Sequence, residues 1–291
     1  DRVRNADLSK AFRIGATENA ILARRAQGAG LMVEQLRSSD PDYFQTGLAV
    51  SRVLPGELAT NGLIESLETE SSPNRQALLI HAVKDRGDNL ALQAVLAKIK
   101  SDSLTVRSAA IDAVGTLGDD SSLPILLSVA NGATSEAALA ALVALKGANV
   151  NAALMKAAEP PDTSAIAVQA LGKRRAKEAA DLLFQLAESD SSAISHEAIA
   201  ALGMTVPQDR FTNLLEVLNT ANNDARKAAI HGAINAVVFR SSQPDACAEA
   251  LGAMIPNSSG TDREFLFEQM RIAGGTRAVA LMRKYATGSD V

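Results

Sequence analysis

Tryptophan is absent from this chain of 291 residues, cysteine occurs once, at Cys247, and histidine three times. A lone cysteine excludes an internal disulfide and any cluster of thiolate metal ligands. Aromatic residues make up 3% of the chain although 47% of it is apolar. A core must therefore be built from Ala, Leu, Ile and Val, whose small side chains let helices approach closely. No apolar run approaches the ~20 residues of a membrane-spanning helix, and no segment reads as a signal peptide. The net charge of −4 gives no general reason to expect nucleic acid or an acidic membrane as partner. The catalytic signatures HExxH, CxxC, GxSxG and GxxxxGKS/T are missing, and Ala273-Gly274-Gly275-Thr276 reads as a turn rather than a phosphate loop.

What the chain has in quantity is helical periodicity. Val106 to Leu117 and Leu123 to Ala130 are two apolar runs of helix length, separated by Gly118-Asp119-Asp120, where one helix stops and the next begins. That is a helix hairpin. Similar hairpins recur about every thirty residues, the signature of a solenoid in which each unit buries its apolar face against its neighbours.

Val106-Arg107, Ala109-Ala110, Ala113-Val114-Gly115, Leu117-Gly118-Asp119 and Leu123-Pro124 resemble the HEAT repeat, in particular its bacterial form with phycobilisome-lyase-like motifs. The resemblance implies an all-α, right-handed α-solenoid of antiparallel helix pairs whose second helices line the concave face. It further implies protein binding as the main use, with no cofactor and no catalytic residue.

In chain order, residues 1–39 are the least repeat-like and are expected to cap the array, with a helix opening at Ala16-Thr17-Glu18 and running to Leu36. Residues 40–291 carry the repeats, about eight hairpins: 41–70 with its turn at Pro55-Gly56, 73–99, 103–132, 133–161, 162–190, 191–223, 224–260 and 261–290. Ser, Asp, Asn, Gly and Pro fill the turns, as in Ser189-Asp190-Ser191-Ser192, where caps and breakers belong. No linker interrupts them, so residues 1–291 are expected to form one solenoid domain. The chain opens at Asp1 without methionine, which predicts a segment of a longer protein.

Several polar positions invite a functional reading. Arg75, Arg107 and Arg226 recur at the start of first helices, an unfavourable place for a cation on dipole grounds, which predicts bonding to turn carboxylates or carbonyls. Ser195 interrupts that row. His81, Asp112, Gln169 and His231 share another row, expected to be the exposed face of the first helix. His81 and His231 are too many repeats apart to share a metal, so no metal site and no catalytic residue is assigned. Cys247, with no histidine nearby in sequence, reads as a small core residue. Lys173, Arg174, Arg175 and Lys177 gather where one helix ends and its partner begins, with Arg174 and Arg175 in place of Leu117 and Gly118 of the best-formed repeat. Helix termination by favourable dipole contacts explains them; an acidic partner is the sharper reading.

One second-helix row reads Ala97, Ser128, Lys156, Gln185, Glu216, Ala253 and Lys284. Its mixed charge lacks the cationic stripe and stacking aromatics of a nucleic-acid groove. The sequence therefore predicts a non-catalytic scaffold for a protein, a peptide or another domain of the parent chain, with Lys156, Gln185, Glu216, Lys173, Arg174, Arg175 and Lys177 as binding residues. The alternatives are a lyase-type enzyme using the concave surface and nucleic-acid binding through the Lys173–Lys177 cluster.

Overall fold

The computed structural model describes residues 7–189, 191–221 and 223–286. Asp190 of the predicted turn and residues 287–290 of the predicted last repeat lie outside these. Every regular element among the described residues is a helix, and none is long and apolar enough to cross a membrane. The chain divides into two compact units, residues 1–150 and 151–291.

The first unit contains α1 (Lys10–Ala23), α2 (Ala29–Leu36), α3 (Pro41–Val53), α4 (Glu57–Thr69), α5 (Pro73–Arg86), α6 (Leu92–Lys98), α7 (Leu104–Leu117), α8 (Leu123–Ser128) and α9 (Ser135–Ala144). α10 (Val150–Ala157) begins at the boundary. The second unit continues with α11 (Pro161–Lys173), α12 (Ala180–Ala187), α13 (Ser192–Thr205), α14 (Phe211–Val217), α15 (Asp224–Arg240), α16 (Pro244–Met254), α17 (Gly260–Ala273) and α18 (Gly275–Ala286). Odd-numbered helices from α3 onward are the first helices of hairpins, and even-numbered ones the second.

The starts follow local chemistry. Pro41, Pro73, Pro161 and Pro244 each occupy the first turn of a helix, where the missing N–H would have no partner and φ is already helical. Ser103 caps α7 through a hydrogen bond accepted from the Val106 amide. Asp88 and Asp119 accept from the amides of Leu90 and Ser121 at 3.1 and 2.9 Å, seating the single 3₁₀ turn that opens α6 and the one that opens α8. The N-terminal helix begins at Lys10, six positions before the expected Ala16, because the Ser9 hydroxyl accepts from the Phe12 amide and caps it there. It then breaks over residues 24–28, where Gly28 lies so close to the Ile21 carbonyl that an added Cβ would sit 2.3 Å from its oxygen. The cap is thus itself a helix pair.

Within each unit, successive first helices pack against one another: α3, α5, α7 and α9 in the first, α11, α13, α15 and α17 in the second. A repeated glycine makes the approach close. A Cβ on Gly115 would stand 2.6 Å from Ala141 Cα, one on Gly172 2.9 Å from Ala201 Cα, and one on Gly203 2.8 Å from Ala233 Cα. The glycine of the Ala-Val-Gly and Ala-Leu-Gly runs is therefore a contact requirement. Contacts between α13 and α15 run in the same order along both, Ser195 with Arg226, Gly203 with Ala233 and Val206 with Arg240, so these stacked first helices are parallel. Val95, Leu126, Leu154, Leu183 and Leu214 of the second helices are fully buried, each contributing about 1.5–3 kcal/mol relative to exposure.

Candidate functional site

The arginine row is structural. Arg75 donates to the carbonyls of Ser38 and Leu36 at 2.9 and 2.8 Å, pairs with Glu70 at 2.7 Å and lies over the Phe44 ring. Arg107 donates to the Ser101 and Asp102 carbonyls at 2.6 and 3.0 Å. Arg226 reaches back to the Ala187 carbonyl at 2.7 Å and to the Ser195 hydroxyl. A second set of arginines, which alignment on helix starts did not single out, serves the other end of the first helices. Arg86 donates to the carbonyls of Ser51, Leu54 and Gly56, and Arg240 to those of Gly203 and Val206 at 3.2 and 2.6 Å. Each reaches carbonyls of the preceding hairpin; those of Ser51, Leu54, Gly203 and Val206 lie at the C-terminal ends of first helices, where carbonyls lack partners within their own helix.

The row of His81, Asp112, Gln169 and His231 is half-buried rather than exposed. Close packing of the first helices brings Asp112 and His231 into reach of the neighbouring helix. Lys84 pairs with Asp112 at 2.6 Å across α5 and α7. His231 stacks on Phe265 with ring centroids 3.7 Å apart and lies 3.4 Å from Asp262, which also pairs with Lys227 at 2.9 Å. Burial holds the His231 pKa below the usual imidazole value, against the opposing pull of Asp262. No group of three or more His, Cys, Asp or Glu able to hold a metal occurs among the described residues. Cys247 is fully buried and accepts from the Gln208 amide at 3.1 Å.

Lys156 on α10, Gln185 on α12 and Glu216 on α14 are all exposed, as are Ala253 and Lys284 further along. Beside this row Arg210 pairs with Asp181 at 2.6 Å and lies over the Phe184 ring. At the hairpin edge where α12 gives way to α13, an open groove of about 500 Å³ is lined by Glu188, His196, Thr220 and Arg226, among others. A smaller groove recurs at Arg107 in the first unit, so the indentation belongs to the repeat geometry.

The basic cluster is split by its backbone. Arg174, the residue after α11, turns inward: its Nε donates to Asn151 Oδ1 at 2.6 Å, and Asn151 in turn donates to Glu178 at 2.7 Å. Burial lowers the Arg174 pKa, with Glu178 opposing. Lys173, Arg175 and Lys177 are exposed and form no ion pair among the described residues. Arg175 has φ +55°, a left-handed conformation that favours glycine.

Stacked helix hairpins with a close first-helix seam and an exposed second-helix row define an α-solenoid, a helical repeat scaffold. The chain belongs to the HEAT-repeat family, whose profile matches residues 60–146 and 150–234. Among solved structures, an engineered protein is similar at 15% identity over 98% of this chain and 90% of its own, with a TM-score of 0.40. Human deoxyhypusine hydroxylase in complex with glycerol is similar at 19% identity over 85% and 96%, with a TM-score of 0.36. The complex of CpcE and CpcF of phycocyanin lyase from Nostoc sp. PCC7120 is similar at 17% over 84% and 94%, with a TM-score of 0.35. No curated protein matches the chain in sequence.

Proposed function

We propose that the protein is a non-catalytic scaffold that binds a protein partner, or another domain of its parent chain, through the second-helix row of Lys156, Gln185 and Glu216. The observation that carries this reading is the division of labour between helices. First helices spend their faces on one another, down to glycine–alanine contact, and their polar groups on neighbouring helix ends, whereas the second helices leave a row of alternating charge and amide exposed. Such a row suits an extended or helical segment that bonds through side chains at repeat spacing. The exposed turn cations Lys173, Arg175 and Lys177 add a second contact region in the same unit. A photo-crosslinking residue placed at Gln185 tests the reading, with the same residue at Asp162 as control. A discrete adduct in the source cells from Gln185, lost on Lys156→Glu with Glu216→Lys, supports it; equal labelling from both positions overturns it.

A further inference from the structure

The ends of α11 and α15 present a feature that repeat architecture does not require. α13 packs between these two helices, and because the three run in parallel their C-terminal ends share one edge of the second unit. At that edge Lys173, Arg175 and Lys177 are exposed and have no ion-pair partner among the described residues, and Arg240 is fixed there by the Gly203 and Val206 carbonyls. Burial and, after it, the charge of Arg175 hold the Arg240 pKa below the usual arginine range, which places the two guanidinium groups within electrostatic reach of each other. Exposed carboxylates at the edge include Glu178, beside Lys177 and bonded to Asn151, and Asp209 on the intervening α13–α14 turn, so Lys173, Arg175, Lys177 and Arg240 leave a cationic excess in a chain whose net charge is −4. In the first unit the same helices pair such charges off, Arg52 with Asp85 and Lys84 with Asp112, both at 2.6 Å. Next to Arg240 stands Phe239, 84% exposed, an aromatic in open solvent in a chain that has few aromatics.

We propose that this edge docks an acidic peptide segment carrying an apolar side chain, its carboxylates meeting Lys173, Arg175 and Lys177 and its apolar group covering Phe239. Cations with no ion pair among the described residues at the end of α11, and an exposed ring at the end of α15, supply both parts of such a site, charge for orientation and encounter and an aromatic anchor for contact. The inference rests on the scaffold reading in taking the protein to be a binder, and it deepens the second contact region of that reading, apart from the second-helix row of Lys156, Gln185 and Glu216.

The test is fluorescence anisotropy of the intact chain with a labelled synthetic peptide in which pairs of Glu alternate with single Leu residues, at physiological salt. A matching peptide with Gln for Glu, an oligonucleotide and anionic vesicles serve as comparisons. The Glu peptide should bind at least about tenfold more tightly than the Gln peptide, as expected for several close charge pairs. Changing Lys173, Arg175 and Lys177 to Glu should remove that difference, and Phe239→Ser should weaken binding by about threefold to tenfold. Lys156→Glu with Glu216→Lys should leave it unchanged, so failure here is distinguishable from failure of the second-helix row. No binding of the Glu peptide, equal binding of the Gln peptide, insensitivity to Phe239→Ser, or preference for the oligonucleotide or vesicles would each overturn the proposal.

Discussion

The Ser195 hydroxyl and the Arg226 guanidinium converge on one carbonyl, that of Ala187, each donating to it at 2.7 Å. Ser195 stands where its own repeat would carry an arginine, and the arginine of the following repeat reaches into the place. The pair also bond each other, so they act as one unit. Arg226→Ala should cost about 1–3 kcal/mol, since part-buried acceptors lose a charge-assisted partner. Ser195→Ala should cost less in the presence of Arg226 than in its absence. A double-mutant cycle by denaturant unfolding should return a coupling of at least about 0.5 kcal/mol; strict additivity would mean the two bonds are independent.

Gly203 and Gly232 separate contact from conformation. A methyl on Gly203 meets Ala233 Cα at 2.8 Å, whereas one on Gly232, in the middle of α15, meets nothing within 4 Å. Gly203→Ala should destabilise by about 1–3 kcal/mol through overpacking. Gly232→Ala should stabilise by about 0.5–1 kcal/mol, because it lowers the entropy lost on forming the helix. Thermal unfolding of the two variants should shift in opposite directions.

Leu126 and Asp112 test which faces of the repeat are packed. Leu126 is fully buried, and Leu126→Ala should cost about 2–5 kcal/mol. Asp112, paired with Lys84 but partly solvated, should lose at most about 1 kcal/mol on change to Ala. The reverse order in denaturant unfolding would invert the assignment of faces.

The hairpin pattern was legible because periodicity and turn chemistry are local. The turn at Gly118-Asp119-Asp120 and the capping role of Asp88 and Asp119 follow from residue type alone. What a residue does at an aligned position is less legible. Gly87 and Gly118 align, yet Gly87 adopts φ +67° as a left-handed helix end, whereas Gly118 is extended, and a Cβ there would run into the Ser122 hydroxyl and the Val114 carbonyl. Arg86 and Arg240 escaped notice for a similar reason. Their partners lie in the preceding hairpin, and side-chain reach across a seam leaves no periodic trace. The half-burial of His231 was hidden because it depends on Phe265 and Asp262, which come opposite it only when α15 and α17 are packed. Among the proposed binding residues, the cations from Lys173 to Lys177 were legible but not their division, since the inward turn of Arg174 depends on Asn151, and nothing in the sequence pattern singled out Phe239.

The His231 cluster gives a pH dependence whose sign is fixed. Burial lowers its pKa in the folded state, so the unfolded chain binds a proton more readily. This contribution to stability is fully present above the ordinary imidazole value of about 6.5 and declines as pH falls below it. His231→Gln should flatten that part of the stability profile. A stability that rises between neutral and mildly acidic pH, and does so only with His231 present, would mean that Asp262 dominates over burial.

Arg175 sets stability against binding at a single position. Its φ of +55° places a non-glycine residue in the left-handed region, at a cost of about 1–2 kcal/mol relative to ordinary helical backbone. Glycine adopts that conformation without steric penalty, offset by its greater entropy in the unfolded chain. Arg175→Gly should therefore stabilise the protein by about 0.5–1 kcal/mol in denaturant unfolding. The same change removes a cation from the proposed docking edge, and should weaken the Glu-peptide complex by about twofold to fivefold, the value of one exposed charge pair. Arg175→Lys keeps both the charge and the strained backbone, and should leave stability and binding nearly as they are. If Arg175→Gly is destabilising, the arginine side chain holds the turn together through contacts of its own. If it is stabilising and the peptide binds as before, Arg175 takes no part in the docking edge.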